Sequence, residues 1–483
     1  MPLRPWTRDR DDVLPAKLDD WVAPDHPVRF VAAFVDELSA DEWDALGIAP
    51  GGHAGGAPAY DPAVLLAAWL YGFMTGVRSC RKLATACAEQ VPFLWLTGGQ
   101  RPDHNALWRF YERHRGGMHV LFKRTVATAA ASGLVVWAIQ AVDGTKIGGN
   151  AAKDRTLDAD TLAALLARVD GAIADLEAQN RPDGPPTPPR LPAALAQAER
   201  LRTQVRAALD QVQAPDGPTR INLTDPEAIL VKGRGGIVAG YNAQAAVAAV
   251  PLASAAHPTR RPARLITAVD VVAAADDHGQ LVPMLDRVGT TTERGVGALL
   301  GDGGYHDGPT VAACADRGQV VVMPEAQHRA MAEPYHKTHF AYDAATDTYT
   351  CPEQHPLAFR SSKARTNRPV VRVYRGDAAV CRACPAFGDC TTDARQGRAL
   401  EVGPHEAALA AHRAWMATEA ARALARQRKS LIEPVFGVLK EEQGGRRFHL
   451  RGLDDVQAEW TLLATAFNLR TCARIWQRER MAA

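Results

Sequence analysis

Residues 297–305 read GALLGDGGY, a short apolar run followed by an aspartate set between glycines. The run predicts a short buried strand that ends on the carboxylate of Asp302. The two glycines after Asp302 leave room for the close approach of another backbone or a ligand. A carboxylate at a strand end, uncrowded by its neighbours, is well placed to bind a hard cation.

Two more acidic positions share this character. The run VVWAIQAV at residues 135–142 predicts a strand that ends on Asp143, which is also followed by glycine. Glu433, in the stretch IEPVFG, opens a segment of helical period that ends in Lys440. Three such carboxylates, brought together by folding, would form a magnesium site for phosphodiester chemistry. The alternative stays open at this point, because a lone aspartate at a strand end is more often a turn or cap residue.

The bulk composition is that of an ordinary globular protein: 47% of the 483 residues are hydrophobic and 23% are charged. A net charge of +2 means that any contact with nucleic acid must come from local basic patches. The first residues lack the apolar core of a signal peptide, and the most apolar stretch, residues 63–77, is too short for a membrane span. We therefore expect a cytoplasmic protein with no membrane contact, whose eight cysteines form no disulfide framework.

The hydrophobic pattern divides the chain into regions. Residues 24–130 have helical period and predict one compact all-helical domain. From residue 134 onward, strand-like and helical segments alternate, which predicts an α/β layer. Residues 156–213 return to strong helical period on both sides of a Pro/Gly-rich stretch and predict a helical hairpin. Because this hairpin lies between strand-rich regions, we interpret it as an insertion.

Four cysteines form a second group. Cys381 and Cys384 have the spacing of a zinc knuckle, and Cys351 and Cys390 could complete a four-thiolate set. In a reducing compartment this pattern favours a structural Zn²⁺ site, within an insertion at residues 335–400. A redox-active pair and a knuckle that has lost its metal are the alternatives.

Basic residues flank Glu433 on both sides. They are Arg422, Arg426, Arg428, Lys429, Lys440, Arg446, Arg447 and Arg451. Runs of this kind usually form solvated helix faces. Their position around a proposed metal ligand also fits contacts to DNA phosphates, because a duplex needs positive charge beside the metal ions. The candidates for these contacts are Arg428, Lys429, Lys440, Arg446 and Arg447.

The order of short motifs along nearly the whole chain resembles that of bacterial insertion-sequence transposases of the DDE class. In the N-terminal part the motifs are LDDWV (18–22), DHPVRF (25–30), YDP (60–62), YG (71–72), GVRS (76–79), LTGG (96–99) and RPDH (101–104). Farther on they are DGTK (143–146), GYNAQ (240–244), DGGY (302–305) and EPVFG (433–437). This order is far more specific than any single motif.

The resemblance implies an all-α N-terminal DNA-binding domain at residues 1–130. It also implies a ribonuclease-H-like α/β catalytic domain at residues 134–475, which would contain the helical hairpin and the cysteine module as insertions. Asp143 would lie on the first strand of that core, Asp302 on the fourth and Glu433 on a later helix. These three residues would be catalytic and would bind Mg²⁺ or Mn²⁺.

The surroundings of the glutamate depart from the related enzymes. Those enzymes have an arginine four residues before it, a tyrosine three before that and a lysine seven after it. Lys440 fits this pattern. Lys429 takes the place of the arginine and Arg426 that of the tyrosine, which questions any hairpin-forming step that depends on the aromatic ring.

The activity implied by the resemblance is transposition. The protein would bind the terminal repeats of its element, cut double-stranded DNA there and join the freed 3′ ends to target DNA. Two metal ions would activate water and stabilise the leaving oxygen. Pairing of the two element ends suggests a homodimer on DNA. The alternatives are a domesticated relative that binds DNA without cutting it, and a general nuclease without strand transfer.

Overall fold

The computed structural model describes residues 17–48, 59–179, 192–233, 235–250, 263–325, 332–365 and 368–482. The chain forms two compact units. The first consists of Met1–Val136, Gly144–Ala275 and Glu433–Ala483, and the second of Trp137–Asp143 and Asp276–Ile432. Among the described residues, no helix combines the length and the apolar character that crossing a bilayer requires.

Helices make up the N-terminal part of the first unit, as the sequence predicts. They are α1 (Pro27–Asp36), α2 (Ala40–Ala45), α3 (Pro62–Met74), α4 (Cys80–Glu89), α5 (Val91–Leu96), α6 (His104–His114) and α7 (His119–Ala131). Asp61 caps α3 by accepting a hydrogen bond from the Ala63 N–H (2.8 Å), and Asp103 caps α6 in the same way. Because α3 is buried over most of its length, it forms the centre of this helical layer.

The sheet of the first unit is built from long antiparallel strands. β1 (Ile139–Gly148) is shared by both units, and its part from Gly144 onward belongs here. The other strands are β2 (Thr156–Leu157), β3 (Ile221–Asn222), β4 (Ile229–Gly233), β5 (Gly236–Val250) and β6 (Ala263–Val272). β4 pairs with the beginning of β5, and β6 with the remainder. β5 also neighbours β1, where the Gly149 N–H donates to the Ala239 carbonyl (2.8 Å).

The predicted helical hairpin is present in the first unit. Its helices are α8 (Ala159–Gln179) and α9 (Pro192–Gln213). β2 and β3 pair antiparallel at its base. The buried side chains that join helices and strands are Leu162, Val205, Ala208, Ile221 and Leu223. The hairpin therefore has a small core of its own.

The second unit is built on short parallel strands. The first half of β1 pairs with β7 (Ala298–Leu300), with Ile139 opposite Ala298, and β7 pairs with β8 (Val320–Val322). α10 (Leu281–Thr292) precedes β7, and α11 (Gly308–Asp316) connects it to β8. β7 ends just before Gly301, so the loop that carries Asp302 leaves from the carboxyl end of a parallel strand.

A five-stranded antiparallel sheet forms the cysteine-containing part of the second unit. Its strands pair in chain order: β9 (Ala341–Asp343), β10 (Thr348–Thr350), β11 (Pro356–Arg365), β12 (Arg368–Gly376) and β13 (Ala399–Val402). α12 (Ala378–Ala383) lies between β12 and β13 along the chain. The core of this sheet includes Leu357 and Tyr374, and Cys351 and Cys390 pack against it.

Two helices follow, and the second corrects the sequence-based prediction. They are α13 (Glu406–Met416) and α14 (Glu419–Gly437). The prediction that Glu433 opens a helical segment is wrong, because α14 begins at Glu419 and a π-helical turn (Val438–Glu442) continues it. A proline favours a helix start, but Pro434 lies inside α14, where it removes one backbone hydrogen bond.

β1 also differs from the expected strand. The sequence predicts a strand at residues 135–142 that ends on Asp143, whereas β1 begins at Ile139 and continues to Gly148. Gly144 does not end the strand, because β5 continues alongside it as far as the Gly149–Ala239 hydrogen bond. Asp143 therefore lies in the middle of β1.

The last helix, α15 (Leu453–Ala482), joins the helical layer of the first unit to its sheet. It packs against α1, α3 and α7 and against β6. The buried Trp460 donates its indole N–H to the Gln244 carbonyl (2.9 Å). The Asn468 side chain bonds both backbone groups of Ile266 at 2.9 Å, which satisfies a buried amide.

Candidate functional site

Asp143 forms an ion pair with an arginine of α14 in the second unit. The Arg428 Nη1 donates to the Asp143 Oδ2 at 3.0 Å, and the two side chains are only 16% and 18% exposed. The neighbouring Val142 is fully buried. Arg428, predicted to contact DNA, is therefore held at the carboxylate that is predicted to bind metal.

Asp302 lies in a tight glycine-rich loop after β7. Its carboxylate accepts a hydrogen bond from the Gly304 N–H at 2.8 Å and so caps a short 3₁₀ turn at Gly303–Tyr305. A methyl group added at Gly304 would lie 3.0 Å from the Asp302 Oδ1 and 3.6 Å from the Asp277 Oδ2. A side chain at Gly304 would therefore press on the Asp302 carboxylate, while the Asp277 carboxylate would be at ordinary contact distance.

A buried tyrosine lies among these charges. Burial raises the pKa of Tyr305 well above its ordinary value. The carboxylates of Asp277, Asp143 and Asp302 raise this pKa further. The Arg428 guanidinium acts in the opposite direction. The charges of three carboxylates and one guanidinium of the second unit therefore act on a single phenol.

Asp277 and the role of Tyr305 were missed at the sequence level. Asp277 follows β6 in the stretch AADDHG, two residues before a glycine, which is a weaker form of the signal that pointed to Asp143 and Asp302. Tyr305 is the last residue of the DGGY motif, and only the folded structure shows that it is buried and which charges act on it.

The carboxylates do not form a ready-made metal site. Among the described residues, no group of three or more His, Cys, Asp and Glu side chains is arranged to hold a metal ion. Asp143 is occupied by Arg428, and Asp302 by a backbone N–H. Even so, carboxylate oxygens are the ligands that Mg²⁺ prefers, and the Asp302 and Asp277 carboxylates both border Gly304.

Glu433 lies in the part of α14 that belongs to the first unit, and its side chain is exposed. It follows Arg428 by five residues on the same helix. The second unit thus brings Asp143 and Asp302 together, and Glu433 is part of the first. Asp302 was expected on the fourth strand, but it follows β7, the seventh strand in chain order. The difference arises because three short strands, β2, β3 and β4, come between β1 and β5 along the chain.

The other predicted DNA-contacting residues differ in their exposure and in the partners that their side chains already have. Lys429 is exposed on α14. The Lys440 Nζ donates to the Lys146 carbonyl at 3.4 Å. Arg446 is paired with Glu441, which offsets its charge. Arg447 donates from Nε to the Gly149 carbonyl at 3.0 Å, next to the end of β1.

A buried ion pair holds the segment that carries these arginines. Arg78, which precedes α4, donates to the carboxylate of Glu459 on α15, and both side chains are 2% exposed. Arg78 also donates to the carbonyls of Gly444 and Arg447. Glu459 in turn accepts from the His449 N–H at 2.9 Å. All these residues are in the first unit, so the pair ties the helical layer to the loop after α14.

The four cysteines of the second unit converge. Cys351, Cys381, Cys384 and Cys390 line one cavity of about 30 Å³. The His355 N–H donates to the Cys351 Sγ (3.3 Å), and the Arg398 N–H to the Cys381 Sγ (3.5 Å). Burial raises the pKa of the Cys390 thiol, and the three other cysteines act in the same direction while Arg398 opposes them.

Two family models match parts of the chain. A model described as "Transposase domain (DUF772)" matches residues 16–113, which contain α1 to α5 and most of α6. A model described as "Transposase DDE domain" matches residues 350–473, which contain the four cysteines, Glu433, Lys440 and most of α15. No curated protein matches the chain.

Proposed function

We infer that this chain, which two transposase-domain matches identify as an insertion-sequence DDE transposase, cuts DNA at the ends of its element and joins the freed strands to target DNA. The observation that carries this proposal is the gathering of Asp143, Asp277 and Asp302 around Tyr305. Carboxylates that act on one buried group also repel one another, and a divalent cation relieves the repulsion.

Asp143, Asp302 and Glu433 are the residues proposed to hold Mg²⁺ or Mn²⁺. Bound there, the ions would activate water and stabilise the leaving oxygen of the phosphodiester. Asp277 supports the site by adding negative charge beside Gly304. Glu433 would join the two aspartates from α14, the helix that also positions Arg428.

Arg428 is proposed to change partners when metal and DNA bind. In the structure its guanidinium neutralises Asp143 at 3.0 Å. A metal ion at Asp143 would take over that role, which leaves the guanidinium for a phosphate. Lys429 and Lys440 are proposed to hold neighbouring phosphates, Lys429 because its side chain is exposed and Lys440 because it lies on the turn after α14.

A ribonuclease-H-like core is the proposed fold of residues 134–475. Its support is the pattern within the two units: antiparallel β4, β5 and β6 in one, and parallel β1, β7 and β8 in the other. Asp143 lies on the first of these strands and Asp302 follows β7. The helical region at residues 1–130 is proposed to bind DNA. The whole protein is proposed to act in the cytoplasm, as a homodimer on the two paired ends of the element.

The cysteine module is proposed to bind one structural Zn²⁺. Four thiols line one small cavity, and two backbone N–H groups already donate to sulfur, as they do to thiolates. Four thiolates are a donor set that Zn²⁺ prefers, and the four described side chains would have to move closer together to hold the ion. Bound there, the metal would draw the thiolates closer together and stabilise the five-stranded sheet by cross-linking its segments.

Cleavage of DNA tests the proposal. The substrate is an end-labelled duplex that carries the DNA flanking the reading frame, incubated with Mg²⁺ or with a chelator. We expect cuts at the ends of the flanking repeats that need the metal and disappear in Asp143→Asn, Asp302→Asn and Glu433→Gln. The matched control is Asp286→Asn, because Asp286 is an exposed acid of the same unit paired with Arg317.

Three outcomes of the same assay would decide against the proposal. Cleavage that survives Asp302→Asn or chelation would reject the metal site. Binding of the repeats without any cleavage would favour a domesticated DNA-binding relative. Cuts that are never followed by joining to a second DNA would indicate a nuclease without strand transfer.

A further inference from the structure

One face of α15 carries three arginines in the first unit. Arg470, Arg474 and Arg478 are spaced four residues apart, so their side chains lie on the same side of the helix. They span about 12 Å along its axis. None of them belongs to the basic residues around Glu433 that the sequence singled out.

These arginines line two adjacent cavities. Arg470, Arg474 and Arg478 form one wall of a cavity of about 210 Å³, together with Arg264 at the start of β6. Arg470 and Arg474 also line a neighbouring cavity of about 400 Å³. Both cavities are large enough for phosphate groups.

Positive charge dominates both cavities. Of the described side chains that line them, four are arginines and one is a carboxylate, Glu442. Arg470 is paired with Glu442. Among the described residues, no ion pair includes Arg474 or Arg478.

Two neighbouring arginines disfavour the positive charge of Arg474. Its pKa is lowered, first by partial burial of its guanidinium and then by Arg470, and Arg478 acts in the same direction while Glu442 opposes. The side chain as a whole remains exposed and reachable. An anion placed between the arginines would relieve this repulsion.

The first cavity borders the helix that carries the proposed catalytic glutamate. Pro434, which follows Glu433 on α14, and Val438, on the turn after it, both line the cavity. An anion bound by the arginines would therefore lie beside the helix that carries Glu433.

We propose that Arg470, Arg474 and Arg478 bind the DNA backbone as a clamp beside Glu433. The inference rests on the proposed function only in taking DNA as the partner. A 12 Å row covers about three successive phosphates of one strand, at roughly 3.4 Å of axis per phosphate. Contacts of this kind hold the duplex in register without reading its sequence.

The test is the salt dependence of DNA binding by the full chain, without metal so that no cleavage occurs. A fluorescent duplex of unrelated sequence is titrated at salt concentrations from about 50 to about 200 mM. We expect the double variant R474Q/R478Q to bind roughly tenfold more weakly, with a log–log salt slope smaller by about 1.8, because each lost phosphate contact removes about 0.9. The conservative R474K/R478K keeps most of the slope.

Two further variants sharpen the test. Arg480→Gln is the matched control for the single variants R474Q and R478Q, since Arg480 points to another face of α15, with its guanidinium 5.1 Å from the Trp476 ring centre. It should bind DNA as the unchanged protein does. Glu442→Gln should bind more tightly, because it frees Arg470, and damage to the fold cannot mimic a gain of affinity.

A salt slope for R474Q/R478Q equal to that of the unchanged protein would overturn the clamp, whether or not the protein cuts DNA. A reduced slope in a protein that never cuts DNA would support the clamp and reject the proposed function. Absence of any DNA binding by the unchanged protein would overturn both.

Discussion

The Arg428 guanidinium and a metal ion would compete for the same carboxylate of Asp143, which lies 3.0 Å from Arg428. We therefore expect Arg428→Ala to bind Mn²⁺ about fivefold more tightly, since removal of a neighbouring unit charge is worth about 1 kcal/mol. Manganese titration followed by electron paramagnetic resonance measures this affinity. Arg317→Ala, at an exposed ion pair with Asp286, is the control that should leave it unchanged. Weaker Mn²⁺ binding by Arg428→Ala would contradict the competition.

Gly304 is a second residue on which the site depends. A methyl group at this position would crowd the Asp302 Oδ1 at 3.0 Å and displace it. We expect Gly304→Ala to reduce DNA cleavage by roughly tenfold or more, because small misplacements of reacting groups are costly. The midpoint of thermal unfolding should change little.

Gly289→Ala on α10 is the control for that change. A methyl group there has no described neighbour within 4 Å, and alanine favours the helix. Cleavage by Gly289→Ala should be normal. Equal cleavage by the two variants would show that the Asp302 carboxylate can be displaced without consequence.

At the scale of elements, the Arg78–Glu459 pair determines how α15 and the loop after α14 are held. Because both side chains are 2% exposed, removal of one leaves an unpaired buried charge. We expect Arg78→Ala to lower the free energy of unfolding by about 3–5 kcal/mol. Arg78→Lys should restore only part of this free energy, because one ammonium group cannot reach the acceptors at Gly444, Arg447 and Glu459 together.

Urea unfolding followed by circular dichroism measures this difference. Arg426→Ala is the control, because Arg426 and Glu419 form an exposed ion pair on the surface of α14. Its unfolding should match that of the unchanged protein. An equally stable Arg78→Ala would mean that the buried pair is replaced by water or by another partner.

The cysteine module gives a prediction about metal content. We expect the purified chain to contain about one Zn²⁺ per molecule, and Cys384→Ser to lose it together with part of the stability of the five-stranded sheet. Elemental analysis by mass spectrometry measures the content. Cys80→Ser on α4, outside the cavity, should keep its zinc. If protein purified from cells grown with added zinc contained no zinc, the cysteines would instead be a redox-active pair or a site that has lost its metal.

At the scale of the whole molecule, histidines with lowered pKa values predict sensitivity to acid. In the described chain, burial lowers the pKa of His26, His114, His306, His336, His412 and His449. A histidine whose pKa is lower in the folded state binds fewer protons than in the unfolded state. Its contribution to stability is therefore complete above the ordinary pKa of 6.5 and is lost as pH falls below it.

We expect the midpoint of thermal unfolding to fall steadily between about pH 7 and about pH 5, before most carboxylates titrate. His412→Asn should make this decline shallower, because His412 is 6% exposed. His278→Asn should leave the decline unchanged, because the His278 side chain is exposed. A midpoint that is constant over this range would contradict the assignment.

The sequence by itself determined the features that depend on neighbours along the chain. Helical period predicted the N-terminal helices and the hairpin of α8 and α9, and glycines beside acids pointed to Asp143 and Asp302. The order of motifs predicted the family that the two domain matches support. Local patterns could not place the start of α14, because Pro434 is a helix-start signal that the helix instead contains.

Only the tertiary structure decided which distant groups meet. Arg428 and Asp143 are separated by 285 residues, and Arg78 and Glu459 by 381. Asp277 joins the acids around Tyr305, and arginines of α15 line a cavity beside Pro434, through packing alone. The physical reason is that charge pairing and burial depend on distance in space, and a single sequence specifies only distance along the chain.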